Sequence, residues 1–263
     1  MQVSIVVPTF NEPELQLWIQ QLRRVLPADS EVIIVDDSDV LPLTRPSGTL
    51  SPPGGARDSR ETLPASALLP AGGEKVPKAD EGLPQLRVLA GEKRGKGDAV
   101  RIGMLAAEGE VVFHLDADLD EEKLALLPEF LRLIGDGYDV VIAERRPWQY
   151  RNAGRFVLSI GLFLAQRLFI FQSARFFDTQ CGLKAFRRDA ARRLASLQTV
   201  RGGMYDIEYL YIAVKNGMRI ARVAVSPMRE LRPSRLRVLR CLVTDPVDLL
   251  RVKWNGVRGR YTR

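Results

Sequence analysis

The sequence predicts an α/β protein built on an open, mostly parallel sheet with helices on both faces. Two observations carry this. Short apolar runs alternate with amphipathic helical stretches in β-α-β order, and the runs end in polar or charged clusters at 8–12, 36–38, 116–120 and 144–146. Sheets of this kind bind ligands beyond the carboxyl ends of their strands. With 263 residues, 46% of them hydrophobic, the chain is long enough for one sizeable core and too apolar to be disordered throughout.

Val3–Val7 is an apolar run closed by Pro8 and reads as the first strand. Glu12-Pro13-Glu14 opens a helix, because proline suits the first turn and acids suit its positive end. Leu15, Trp18, Ile19, Leu22 and Val25 give that helix its apolar stripe. Glu31–Val35 is the second strand and ends in Asp36-Asp37. Residues 41–84 then hold eight of the sixteen prolines and six glycines, and read as a long, largely disordered insertion within one domain. Leu86–Ala90 is a strand, and Gly95-Lys96-Gly97 leads into a helix over about 97–108. Glu110–Leu115 is a strand, a helical stretch broken by Pro128 runs to Ile134, and Tyr138–Ala143 is a further strand. Asp206–Asn216 is a helix closed by Gly217, and Thr244-Asp245-Pro246 reads as a helix start.

Two features of the second half suggest a surface-seeking protein. Phe156–Phe171 is apolar almost throughout, but Gln166 and Arg167 interrupt it, so it suits an interfacial amphipathic helix better than a membrane span. Residues 229–263 hold ten basic and three acidic residues and account for the whole net charge of +7. The chain therefore divides into a domain over 1–228 and a basic amphipathic extension over 229–263, with an anionic membrane surface as the expected partner. A nucleic-acid partner is disfavoured, because few aromatic residues interleave with the basic ones. Cys181 and Cys241 are too few for a disulfide scaffold, and nothing before the first apolar run reads as a secretory leader. The expected location is cytoplasmic, peripheral to the cytoplasmic face of a membrane.

Asp116-x-Asp118-x-Asp120 follows an apolar strand directly. Carboxylates at alternate positions on a strand end repel one another unless a positive charge sits among them. A divalent cation with oxygen ligands, shared with a diphosphate, is the natural counter-charge. Asp36-Asp37 could accept hydrogen bonds from a nucleobase or ribose, or serve as a turn. The loop from Gly91 to Gly97 resembles a phosphate cradle but departs from a P-loop in spacing and lacks its Ser/Thr. Lys93, Arg94 and Lys96 within it could bind phosphate or be solvated. His114 is the lone histidine and reads as a packed core residue, so no histidine-based triad can be assembled.

Several segments together resemble family 2 glycosyltransferases of the GT-A fold: Val3-Ser-Ile-Val-Val-Pro-Thr-Phe-Asn-Glu12, Val32-Ile-Ile-Val-Asp-Asp-Ser38, Gly95-Lys-Gly-Asp-Ala-Val-Arg-Ile-Gly-Met104 and His114-Leu-Asp-Ala-Asp118. Asp178-Thr-Gln-Cys-Gly-Leu-Lys-Ala-Phe186 and Tyr205-Asp-Ile-Glu-Tyr-Leu-Tyr-Ile-Ala213 are similar to the branch that uses polyprenyl or dolichyl phosphates. The resemblance implies that Pro8, Phe10 and Glu12 line the nucleotide and that Asp36 or Asp37 meets the base; Lys96, in the Gly-rich entry to a helix, is assigned to the donor site beside them. The resemblance also implies that Asp116 and Asp118 hold ribose and the metal-diphosphate, with Asp120 as a further ligand for Mg2+ or Mn2+. Arg145, Lys184 and Arg187 would face the acceptor phosphate. The implied reaction moves a sugar from a nucleoside diphosphate, UDP-glucose ahead of GDP-mannose, to a polyprenyl phosphate with inversion. A sugar nucleotidyltransferase is the nearest alternative, disfavoured because Pro8-Thr9-Phe10-Asn11-Glu12 stands where those enzymes carry a Gly-rich basic loop.

Overall fold

The computed structural model describes residues 1–10, 12, 15–27, 29–38, 85–145, 160, 161, 164, 176–226 and 238–262. Among these a seven-stranded sheet runs in the order β3-β2-β1-β4-β6-β5-β7. The strands are β1 (Val3–Thr9), β2 (Glu31–Asp36), β3 (Gln85–Ala90), β4 (Val111–Leu115), β5 (Val140–Arg145), β6 (Leu183–Arg187) and β7 (Ile220–Val225). All are parallel except β6, which runs antiparallel to both β4 and β5. The helices are α1 (Leu15–Arg23), α2 (Lys96–Ala106), α3 (Glu121–Leu124), α4 (Leu127–Gly135), α5 (Arg188–Leu197), α6 (Tyr205–Lys215) and α7 (Val238–Val257).

The continuous apolar runs of β1, β2 and β4 are buried on both faces, as a parallel sheet covered by helices requires. One face buries Val6, Ile33, Val112 and Phe186 against α2, α5 and α6. The other buries Ile5, Ile34, Phe113 and Ala185 against Leu15, Trp18 and Leu22 of α1 and Phe130 and Ile134 of α4. The helical stretch before Ile134 is broken at Pro128 as expected: α3 ends at Leu124 and α4 restarts at Leu127, with Pro128 in its first turn, where the missing N–H costs nothing.

The insertion 41–84 and most of 156–175 lie outside the described residues. The C-terminal segment differs from expectation in two ways. Thr244-Asp245-Pro246 is not a helix start: α7 begins at Val238 and carries Pro246 inside it. A proline fits the opening turn most cheaply, yet a helix can continue through one at the loss of a hydrogen bond when packing holds its sides. Packing does so here. Leu249, Val252 and Tyr261 are buried in the same core as α6, and Tyr211 leaves no room for a Cβ at Gly256. The Tyr261 hydroxyl donates to buried Glu208 at 2.5 Å. Glu208 also accepts from the backbone N–H groups of Thr199 and Val200 at 2.9 and 2.8 Å. Residues 249–261 are thus packed into the core that α6 shares with the sheet.

Removing residues 249–263 is accordingly expected to cost most of the stability. Losing a large buried side chain costs roughly 2–5 kcal/mol, against a total of about 5–15 kcal/mol for a domain. A thermal melt of the truncated chain checks this, and an unchanged midpoint would show that the segment contributes nothing to the core.

Candidate active site

A cleft of about 470 Å³ opens at the carboxyl ends of β1, β2 and β4. Its lining includes Pro8, Phe10 and Glu12 from the end of β1, Asp37 from the end of β2, Lys96 from α2, and Asp116 and Asp118 after β4. The structure therefore brings together residues that lie more than a hundred positions apart in the chain.

The acids after β4 divide by environment. The Asp116 backbone N–H donates to Gly182 O at 2.9 Å, and the Trp18 indole N–H holds the Leu119 carbonyl at 3.2 Å, so both ends of the turn are tied. The Asp116 carboxylate meets Lys96 Nζ at 2.7 and 2.9 Å. His114 Nε2 stands 3.4 Å behind it. Burial works to raise the Asp116 pKa, but the Lys96 ammonium and the His114 hydrogen bond outweigh it and hold the carboxyl well below the usual range. Asp118 is exposed, and desolvation and then the Asp116 charge push its pKa up. Asp120 is engaged elsewhere: it caps α3 through the Lys123 N–H at 3.1 Å and pairs with Lys123 Nζ at 2.7 Å.

Among the described residues no cluster of three or more His, Cys, Asp or Glu is arranged to hold an ion by itself. The donor set nevertheless fits Mg2+ or Mn2+ bound together with a diphosphate. Asp116 lines the cleft with Lys96 as its close cation, Asp118 faces solvent on the same lining, and both present hard oxygen ligands.

The second-strand acids also part company. Asp37 lines the cleft and accepts from the Lys93 N–H at 3.1 Å. Burial raises its pKa, and backbone donors at Lys93 and Gly95 counter this. Asp36 is turned inward and accepts from Thr9 Oγ1 at 3.2 Å and from the Ser38 hydroxyl and N–H at 2.5 and 3.1 Å.

The three expected acceptor cations occupy three different places. Arg145, at the end of β5, is held by Asp178: its backbone N–H and its Nη2 lie 3.2 and 3.1 Å from the carboxylate, and Nε donates as well. Its charge reaches Asp118, whose pKa it lowers in part. Lys184 is buried in β6, where it pairs with Asp206 at 2.7 Å and donates to Cys181 O at 2.6 Å. Arg187 lies at the far end of β6, opposite Val111, and pairs with Asp139 at 3.2 Å. The antiparallel course of β6 takes it away from the cleft, so Arg187 does not join the arrangement.

His114 is buried, and its ring nitrogens approach the Tyr205 hydroxyl at 3.2 and 3.4 Å. Burial lowers its pKa despite Asp116, as befits a packed residue that supports the acid. Three glycines carry roles that sequence reasoning missed. A Cβ on Gly182 would lie 2.1 Å from the Asp116 carboxylate, and one on Gly91 would overlap the Asp37 carboxylate. A Cβ on Gly97 would lie 2.8 Å from both Gly202 O and Tyr205 Cβ. Each makes room for, or backs, a residue of the cleft. Gly91 and Gly97 stand out in the sequence as the ends of the Gly-rich loop, though not for this role, and Gly182 has no sign of its own.

Comparison with known proteins gives a consistent picture. Residues 74–195 match the family model described as Glycosyl transferase family 2. The chain is 29% identical to a human dolichyl-phosphate beta-glucosyltransferase, over 99% of this chain and 77% of that protein. It is 24% identical to the protein of the same description from Dictyostelium discoideum, over 98% of this chain and 75% of the relative. Among solved structures it is similar to glucosyl-3-phosphoglycerate synthase from Mycobacterium tuberculosis, crystallised with Mn2+, uridine diphosphate and glucosyl-3-phosphoglycerate. There the TM-score is 0.60 and the identity 20%, with 96% of this chain and 79% of that one covered. At that identity the likeness bears on the fold, which is GT-A.

Proposed function

We propose that this family 2 glycosyltransferase moves a glucosyl group from UDP-glucose to a polyprenyl phosphate of the dolichyl type at a membrane surface, inverting the anomeric configuration. The observation that carries the reading is the Lys96–Asp116 ion pair, with Asp118 beside it, in a cleft also lined by Pro8, Phe10, Glu12 and Asp37. Such a cleft suits a nucleoside diphosphate sugar: Asp37 and the β1 end would meet the nucleoside, and Lys96 the diphosphate. The description of the curated relatives supports the acceptor and the sugar, and the Mn2+ and uridine diphosphate of the solved neighbour support the donor.

Asp116 and Asp118 would hold Mg2+ or Mn2+ against the diphosphate, with Asp120 outside that set because of its bond to Lys123. Such an ion supplies neutralising charge for the departing diphosphate. Lys96 adds a cation on the same side, and His114 keeps Asp116 aimed. The acceptor needs no general base. A phosphate monoester has its second pKa near 6, so its oxygen is already anionic at neutral pH and can attack the anomeric carbon as the bond to the diphosphate breaks. Arg145 would receive that acceptor phosphate, which competes with Asp178 for the guanidinium. Lys184, paired inside β6, would act on the cleft only by fixing Asp206 and the β6 end.

The test crosses UDP-glucose and GDP-mannose with a short-chain polyprenyl phosphate and a soluble phosphate such as phosphoglycerate, with and without EDTA. Expected is metal-dependent glucosyl transfer to the polyprenyl phosphate. Transfer only to the soluble phosphate, or full activity in EDTA, would overturn the corresponding part.

A further inference from the structure

We propose that the outer face of α7 docks on an anionic lipid bilayer and so sets the height and tilt of the cleft above the membrane. This deepens the lipid-phosphate reading, on which it rests, by naming the surface that brings the enzyme to its acceptor.

Helix α7 has two apolar faces. The inner one, through Leu249 and Val252, is buried. The outer one is formed by Val247, Leu250, Trp254 and Val257, spaced as one stripe of a helix and 53, 60, 57 and 70% exposed. Four large apolar side chains in a row on a helix that already has a buried face require a partner for the second.

The surrounding charge decides which partner. Arg251 and Arg258 border the stripe on one side and Lys253 on the other, with Arg260 just beyond the helix. Arg258 stacks on the Trp254 ring at 4.4 Å, which sets a cation beside an amphipathic aromatic side chain. Between 238 and 263 the chain has six basic residues and two acidic ones. The acids, Asp245 and Asp248, lie away from the stripe; Asp248 pairs with Arg251 at 3.1 Å, and its Oδ2 lies 3.5 Å from where a Gly202 Cβ would be. An apolar stripe bordered by cations suits acyl chains beneath a layer of anionic headgroups.

The inner face links this surface to the cleft. Tyr261 and Glu208 hold the backbone at Thr199 and Val200, and the next carbonyl, Arg201 O, accepts the Asp98 N–H at 3.2 Å in the first turn of α2. Lys96 starts that same helix. The docking helix and the donor site therefore move as one body.

The experiment uses the full chain with vesicles of phosphatidylcholine alone and with phosphatidylglycerol added, at low and high salt. Three forms are compared: wild type, Leu250→Glu/Trp254→Glu, and Lys253→Gln/Arg258→Gln. Expected is co-sedimentation with anionic vesicles that salt weakens without abolishing, because only the charge part is screened. The double glutamate form should bind about tenfold or more weakly, while its melting temperature and its transfer to a short-chain acceptor stay unchanged. Trp254 emission should shift to the blue on anionic vesicles in a Trp148→Phe background, since Trp18 is buried and hydrogen-bonded. Equal binding by all three forms, no binding by wild type at low salt, or a dimer in solution that the glutamates dissociate would each overturn the proposal. Loss of transfer to the short-chain acceptor in wild type would instead count against the assigned reaction and leave the vesicle result standing.

Discussion

Asp118→Ala is expected to lower sugar transfer by at least about 10²–10³-fold, the range seen when one preorganised electrostatic partner of a developing charge is removed. The folded state should be little affected. Asp118 is exposed and supports no buried contact, and substitutions at such positions shift stability by about 0.5 kcal/mol or less. The pair of results matters more than either alone. Asp116 is bound by Lys96 and backed by His114, so replacing it disturbs the floor of the cleft and confuses chemistry with packing. Asp118 separates the two. Transfer rates with UDP-glucose, weakening of Mn2+-dependent UDP binding by calorimetry, and an unchanged melt together check it. Wild-type transfer by Asp118→Ala would remove the carboxylate pair from the reaction.

The second large effect is expected at a residue with no functional group. A methyl at Gly182 would sit 2.1 Å from the Asp116 carboxylate, so Gly182→Ala must push that side chain aside. Forcing an extra carbon into a packed site costs about 1–3 kcal/mol. Misplacing a reacting group by about 1 Å can cost roughly 10²-fold in rate. The variant should therefore fold at a lower melting temperature and transfer sugar about a hundredfold more slowly. Gly203→Ala is the control, because a Cβ there meets nothing within 4 Å. If both alanines behave alike, Gly182 is not what makes room for Asp116.

The contrast between these two residues shows what was legible in the sequence. Asp118 stood out, because carboxylates at alternate positions directly after an apolar strand repel one another and need a counter-charge. The strands β1, β2 and β4 were equally open to reading, because strands buried on both faces are nearly uninterrupted apolar runs. Strand β6 was not. Its sequence, Leu-Lys-Ala-Phe-Arg, places a lysine in the interior, and the opposite charge that makes this burial tolerable, Asp206, comes twenty-two positions later. The role of Asp120 was hidden for the opposite reason. It matches the spacing of a metal ligand, while the buried ammonium that claims it, Lys123, looks in the sequence like an ordinary surface residue. The room that Gly91 and Gly182 leave for Asp37 and Asp116 was not legible, because their contribution is an absence of atoms. The C-terminal segment misled because its basic residues are the salient feature, whereas Leu249, Val252 and Tyr261 decide where it lies.

The reversed direction of β6 has a consequence for which residues meet at the cleft. A parallel neighbour of β5 would begin at the opposite edge of the sheet. Because β6 is antiparallel, it begins at Leu183, on the edge where β5 ends at Arg145. Asp178 holds Arg145 there, and the Gly182 carbonyl accepts the Asp116 N–H. The polarity of a single five-residue strand thus sets two segments more than thirty positions apart against the same turn after β4.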